Sequence, residues 1–308
     1  MTQPLAQNSE STSVGFAWFL LAATTLFWGG NFVLGRAVAA DIPPIALAWW
    51  RWVLAMAVIM PFAAHGLWQV RAVLWQHKGY LLLVSVLSVS VFNTFVYLGL
   101  QTSTATNALL LLSSGPVMIL IFSWALFGER VSTQQVLGIL LSLVGVVVIV
   151  TEGHPLALQV LLQGGTGNLW ILAAVIAWAL YSVLLRKRPA ELNGTVFFAL
   201  TAVVGWIVLS PFFFYEHFVQ ERIMVFNTTA LISVGYVGFF ASVLAFLFWN
   251  RGIQMLGANR ASNSIHLIPV WGLVLASIFL GERLVGFHWL GMGLIIAGIL
   301  LASVLRRR

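Results

Sequence analysis

Ten apolar runs, each long enough to cross a membrane as a helix, leave this chain almost no freedom in how it folds. They fall at about 16–38, 45–64, 79–100, 104–127, 134–151, 169–186, 194–215, 229–250, 260–280 and 286–305. Roughly 20 apolar residues rising 1.5 Å each span about 30 Å of hydrocarbon. In hydrocarbon the backbone must satisfy its own polar groups, which a helix does within one segment. The connections between runs are short. The chain is 61% hydrophobic and 7% charged, against roughly a quarter charged in soluble domains. The expected fold class is therefore all-α integral membrane, with ten transmembrane helices.

The second constraint is a duplication. Tyr97 to Val150 recurs without a gap as Asn250 to Ser303, a shift of 153 residues. Gly99 matches Gly252, Gln101 matches Gln254, Pro116 matches Pro269, and Gly-Glu-Arg at 128–130 matches 281–283. About 14 of some 53 aligned positions are identical, and they include Gln, Pro, Glu and Arg, which apolar composition alone does not supply. A weaker match at a shift of 150 pairs Trp28 with Trp178, Asn31 with Tyr181, Leu34 with Leu184 and Arg36 with Arg186. The expected organisation is a tail at 1–15, a five-helix repeat at 16–151, a linker at 152–168 and a second five-helix repeat at 169–308. Five is odd, so the second repeat enters the membrane from the opposite side and the two are inverted around a central cavity. Such repeats supply two conformations of similar energy, as alternating access requires.

Lys and Arg set the orientation. With the N-terminus inside, Arg71, Lys78, Arg130, Arg186–Arg188, Arg251, Arg260 and Arg306–Arg308 fall on the cytoplasmic side, and only Arg36, Arg222 and Arg283 opposite. Both termini are thus expected in the cytoplasm. The first run lacks a basic leader and a clear cleavage site, so it is expected to be retained. The net charge of +7 follows from this topology and implies no nucleic-acid partner. The chain has no Cys, which excludes disulfides and thiolate metal sites. It also lacks GxSxG, HExxH and Walker A motifs, so no enzyme is expected and no metal or cofactor implied. No obligatory protein partner is evident.

Polar side chains inside a membrane are costly and should face protein or a watery cavity. The third run carries Ser90, Asn93, Tyr97 and Gln101 on one helical face; the eighth carries Ser242, Phe246, Asn250 and Gln254. The first offers Trp28 and Asn31, the sixth Trp178 and Tyr181. Pro116 and Pro269 interrupt the fourth and ninth runs, beside Ser113 in one and Asn263, Ser264 and His266 in the other. Matched breaks in the two halves point to a binding site and mark the prolines as hinges. The candidate substrate contacts are thus Trp28, Asn31, Asn93, Tyr97, Gln101, Ser113, Trp178, Tyr181, Asn250, Asn263, Ser264 and His266, with ordinary helix–helix hydrogen bonding as the competing explanation. His266 is the only histidine that falls well inside a run. Arg51, about two turns into the second run, either snorkels to the interface or meets a substrate carboxylate. No Asp or Glu falls in the middle of a run. The Gly-Glu-Arg pairs read as structural, with Gly closing a turn and Glu placed at the positive end of the next helix.

The FWGGNFVLGR opening, the P-x(11)-GER repeat ending and the ten-helix duplication resemble the drug/metabolite transporter superfamily, specifically its EamA-type members. The Trp-rich helices and the HLIPVWGLVLASIFLGE run are most similar to YddG-type aromatic amino-acid exporters. The resemblance implies a basket of helices around a substrate cavity, with the fifth and tenth peripheral. It also implies efflux of amino acids or related small metabolites across a bacterial inner membrane. Small relatives couple to protons through a Glu in the first helix, and this first run has none. The expected function is facilitative export of aromatic and other neutral amino acids by alternating access, with membrane lipid as the surroundings. The alternatives are export of nucleotide precursors, sugars or cationic drugs, with or without proton coupling, and, from another class, an intramembrane enzyme or a channel.

Overall fold

The computed structural model describes residues 5–128, 132–154, 166–256 and 263–303, and among these it is helical with no strand. Ten apolar helices follow in order: α1 Leu5–Ala37, α2 Pro44–Gln69, α3 Lys78–Leu100, α4 Ala105–Phe127, α5 Thr133–Val150, α6 Thr166–Leu184, α7 Gly194–Val219, α8 Thr228–Leu256, α9 Leu267–Leu280 and α10 Gly286–Ser303. Seven are long and apolar enough to cross a membrane, and α5, α9 and α10 are shorter. α6 begins at Thr166, so the last three residues of the expected linker belong to its first turn. Outward faces carry large exposed apolar groups such as Phe62, Ile278 and Phe279, a surface that suits lipid.

Local chemistry sets the helix ends. The side chains of Thr104, Asn193 and Asn227 accept from Asn107, Val196 and Ala230 N–H, and Ser132 with Gln135 forms a capping box. Gly128 and Gly281, the matched glycines of the Gly-Glu-Arg pairs, close α4 and α9 at φ 64° and 66°. A side chain is strained at that φ, and glycine is not. The turn role expected for the glycines is observed.

The packing maps onto itself when each helix of one half is exchanged with its counterpart. α1 packs on α8 and α9, and α6 packs on α3 and α4; α2 meets α7, α4 meets α9, and α5 meets α10. A Cβ on Gly99 would come within 2.6 Å of Ile171, and one on Gly252 within 2.6 Å of Leu21. Those are the same contact made twice. Counterpart helices that touch run antiparallel. Glu216 meets Ala46 at one end of the α2–α7 pair, and Gly66 meets Val196 at the other. Likewise Gly145 abuts Gly291 while Gly298 abuts Gly138.

The bundle has two unlike ends. At the basic end a short helix, Arg71–Gln76, joins α2 to α3. Its Val73 and Leu74 pack with Leu184, Leu185, Leu192 and Val196, and Tyr80 donates to the Leu184 carbonyl. This gathers Arg71, Lys78 and Arg186–Arg188 at one end. Exposed Trp68 and Trp75 sit there under Arg71 and Lys78, at 4.7 and 4.4 Å, an arrangement suited to a membrane interface. At the opposite, carboxylate-capped end, where Glu216 and Glu282 accept from the first amides of α2 and α4, Arg36 donates to the carbonyls of Leu100 and Gln101.

Candidate functional site

Asn31 in α1, Arg51 in α2, Tyr97 in α3 and Ser242 in α8 converge on one buried cluster. Arg51 lies seven residues after Pro44, which places it about 10 Å along the axis from the first residue of α2. Its Nη1 donates to Asn31 Oδ1 at 3.0 Å and to Tyr97 Oη at 2.9 Å, and its Nε donates to Ser242 Oγ at 2.7 Å. Nη2 has one long acceptor, the Ala241 carbonyl at 3.4 Å. Tyr97 in turn donates to Asn31 Oδ1 at 2.7 Å. The guanidinium stands 5.4 Å from the Trp52 ring. Arg51 is 6% exposed and Tyr97 2%. Of the two readings of Arg51, snorkelling to the interface is therefore excluded.

A π-helical segment, Tyr236–Leu244, shapes the α8 side of this cluster. Its wider turn leaves carbonyls for other donors. Ser242 Oγ donates to the Val237 carbonyl, five residues back. The Ala241 carbonyl accepts from Trp28 Nε1 at 3.2 Å as well as from Arg51. The counterpart helix α3 has a π segment over Val86–Val91, which falls within Tyr236–Leu244 at the 153-residue shift. There Asn93 donates to the Ser88 carbonyl and Ser90 to the Gly205 carbonyl of α7. On each of α2 and α3 one further buried polar atom has no partner among the described residues, Trp52 Nε1 and Thr94 Oγ1 respectively.

Aromatic pairs lie beyond the cluster toward the basic end. Trp28 and Trp249 stand 5.4 Å apart between α1 and α8; Phe92, Trp178 and Tyr181 form a second group between α3 and α6, at 4.9 and 5.3 Å. Trp28 and Trp178 are the matched tryptophans of the two halves.

The structure thus brings Asn31, Arg51, Tyr97 and, through Ala241, Trp28 together, and it sets Trp178 and Tyr181 in the second aromatic group. Asn93, Gln101, Ser113 and Asn250 make their contacts elsewhere. Asn93 is buried but its amide is engaged by its own helix. Gln101 sits at the capped end and accepts from Arg222. Ser113 bonds to the Leu109 carbonyl where α4 is broken at Ser113–Ser114. Asn250 lies beside Gly194 at the basic end. Ser264 is buried, and the Asn263 side chain lies outside the described residues. Pro116 follows the break in the first turn of Gly115–Phe127, and Pro269 is the third residue of α9. Both prolines therefore stand in first turns, where an amide donor is dispensable.

Two expectations are corrected. His266 is not the histidine inside the protein: it ends a 3-10 turn, Asn263–His266, and is exposed. The buried one is His288 in α10, whose Nδ1 accepts from Val285 N–H; Nε2 then carries the proton and donates to Asn107 Oδ1 at 2.9 Å. Glu282 does not serve the next helix. Its two oxygens accept from Ala105 and Thr106 N–H at the start of α4, in the other half. Glu129, its counterpart, lies outside the described residues. Glu216, near the end of α7, has a role not assigned from the sequence: it is 1% exposed and caps α2. A single Glu closing the PFFFYEHF stretch was the available signal.

Replacing Tyr97 by Phe should strand one Arg51 N–H and cost about 1–3 kcal/mol. Thermal unfolding of the purified protein checks this, and an unchanged midpoint would show the hydroxyl to be dispensable.

The sequence profile of the EamA-like transporter family matches residues 15–151 and 165–304. The chain is 27% identical over 291 residues to "Uncharacterized transporter YyaM" of Bacillus subtilis (strain 168), covering 93% of each. It is 26% identical over 289 residues to a "Probable amino-acid metabolite efflux pump" of Escherichia coli (strain K12), covering 91% of this chain and 92% of that one. A solved crystal structure superposes with a TM-score of 0.60 at 21% identity, over 96% of this chain and 99% of the other, a likeness of fold. A profile that spans both halves, on an all-helical membrane bundle, places this multi-pass protein in the EamA-like transporter family.

Proposed function

We propose that this transporter exports neutral amino acids, aromatic ones foremost, from the bacterial cytoplasm by alternating access of two inverted halves. The observation that carries the reading is the axial order of the site. A buried polar cluster lies toward the capped end, and paired aromatic rings one turn or more nearer the basic end. Asn31 and Trp28 are three residues apart on α1, about 4.5 Å along its axis, the scale of an amino acid's polar head and apolar side chain. The efflux-pump names of two relatives at 26% identity agree with it. The antiparallel counterpart helices support inversion, and the gathered Lys and Arg support a cytoplasmic basic end.

The transport is facilitative in this reading. Proton relays in membranes usually use an intramembrane carboxylate with a free oxygen. Here Glu216 and Glu282 each engage both oxygens with backbone amides. Proteoliposomes preloaded with labelled phenylalanine or leucine should release it without an imposed proton gradient. Strict dependence on a gradient overturns the facilitative mechanism, and competition by nucleosides or cationic dyes but not amino acids overturns the substrate class.

A further inference from the structure

Arg51 is a buried cation without a counter-charge. No carboxylate among the described residues pairs with it; its partners are an amide oxygen, two hydroxyls, one distant carbonyl and the face of Trp52. A guanidinium has five N–H donors, and four contacts are made, so at least one donor is left open. Dipoles can hold a charge in place, but they leave a standing positive potential where the dielectric is low. That potential attracts an anion and repels a cation.

The way Arg51 is held matters as much as its charge. Its Nε and Nη2 both rest on the π segment of α8, on Ser242 Oγ and the Ala241 carbonyl. Those two nitrogens form one edge of the planar fork, an edge that fits the two oxygens of a carboxylate. Among the described residues no cation bonds to the matching π segment in α3: Asn93 and Ser90 serve it instead. The asymmetry falls where a single solute would have to be read.

We propose that Arg51 is the receptor for a solute carboxylate, and that taking this carboxylate on its Nε–Nη2 edge releases the π segment of α8. Binding and loosening of the gate are then one event. Two charge-assisted bonds replace one hydroxyl and one long carbonyl contact, so α8 loses its side-chain ties to Arg51 and keeps those to α1, from Trp28 to Ala241, from Tyr236 to Phe27 and from Thr24 to Ala245. Solutes lacking a free carboxylate meet a cation with nothing to offer it. Ser242 is a positioning residue, which holds Arg51 and α8 together until the solute arrives. The inference rests on the amino-acid reading only in requiring a carboxylate-bearing solute.

The test uses the purified full-length protein in nanodiscs and liposomes, with L-phenylalanine, 3-phenylpropionate, phenylalanine methyl ester and phenethylamine as probes. The two acids are expected to bind at least about tenfold more tightly than the ester or the amine. Arg51→Lys, a point charge without the fork, should erase that preference. Amide hydrogen exchange over 236–244 should quicken when an acid binds and stay unchanged with the ester. Ser242→Ala should bind the acids at least as tightly while its exchange transport falls about tenfold. A merely structural serine would weaken both. Equal binding of ester and acid by the unaltered protein overturns the proposal even where Arg51→Lys fails to fold, and so does a quiet α8 on acid binding. If 3-phenylpropionate binds and no amino acid does, the amino-acid reading falls and this one stands. If only nucleosides or cationic dyes bind, both fall.

Discussion

A Gly298→Leu protein is expected to accumulate poorly and to unfold well below the unaltered one, with a loss of about 1–3 kcal/mol or more. A Cβ at this position would lie 2.5 Å from the Gly138 carbonyl oxygen and 2.7 Å from the Ser142 nitrogen. The obstruction is backbone, so no rotamer change relieves it, and α5 and α10 must move apart. Its counterpart Gly145 meets the Gly291 carbonyl at 2.7 Å in the same way. Close approach of backbones is what small residues contribute between membrane helices, where no hydrophobic effect drives association. Gly293 is the control: on the same helix it has nothing within 4 Å of a Cβ. Gly293→Leu should therefore change stability by no more than about 0.5 kcal/mol. Thermal unfolding in detergent and the monodisperse yield of both variants decide the matter; equal losses would show that leucine is poorly tolerated anywhere on α10.

Glu216→Ala is expected to destabilise the protein by about 2–3 kcal/mol, and Glu216→Gln by less. The first amides of a helix have no partner within it. In α2 the first residue is Pro44, which has no amide, and Pro43 supplies no side-chain cap. Glu216 takes the next two, Ile45 N–H at 3.2 Å and Ala46 N–H at 2.7 Å. Alanine would leave both unsatisfied in a buried place. Glutamine keeps one acceptor but brings a donor toward a donor and loses the charge at the positive helix end. The expected order in thermal unfolding is Glu, then Gln, then Ala. Gln equal to Glu would show that the charge contributes nothing. Because α2 carries Arg51 two turns further on, the same series should lower amino-acid exchange in the same order.

Much of this protein is legible in its residues. The ten runs place ten helices, because hydrocarbon thickness and backbone hydrogen bonding admit little else. The ends are less well placed, since α1 already begins at Leu5 within the expected tail and α2 and α8 continue to Gln69 and Leu256. The duplication foretells the exchange of contacts between halves. Gly128 and Gly281 read correctly as turn closers, since their role is a local φ. Asn31, Arg51 and Tyr97 are also visible, because each is a polar group where polarity is expensive. The failures have a common cause. In a water-soluble protein an apolar face marks the inside; in a chain made for lipid both faces are apolar. Hydropathy therefore does not say that His288 is buried and His266 exposed, nor that Glu282 reaches across to α4.

The sequence by itself determined a ten-helix membrane bundle built from two related halves, because length, apolarity and repetition are properties of the chain. Only the tertiary structure decided which polar groups meet. Arg51 lies 20 residues from Asn31, 46 from Tyr97 and 191 from Ser242. No local rule links positions so far apart. Their meeting is set by how α1, α2, α3 and α8 cross, and those crossings depend on glycine contacts and helix caps formed between the halves. The site is a property of that packing.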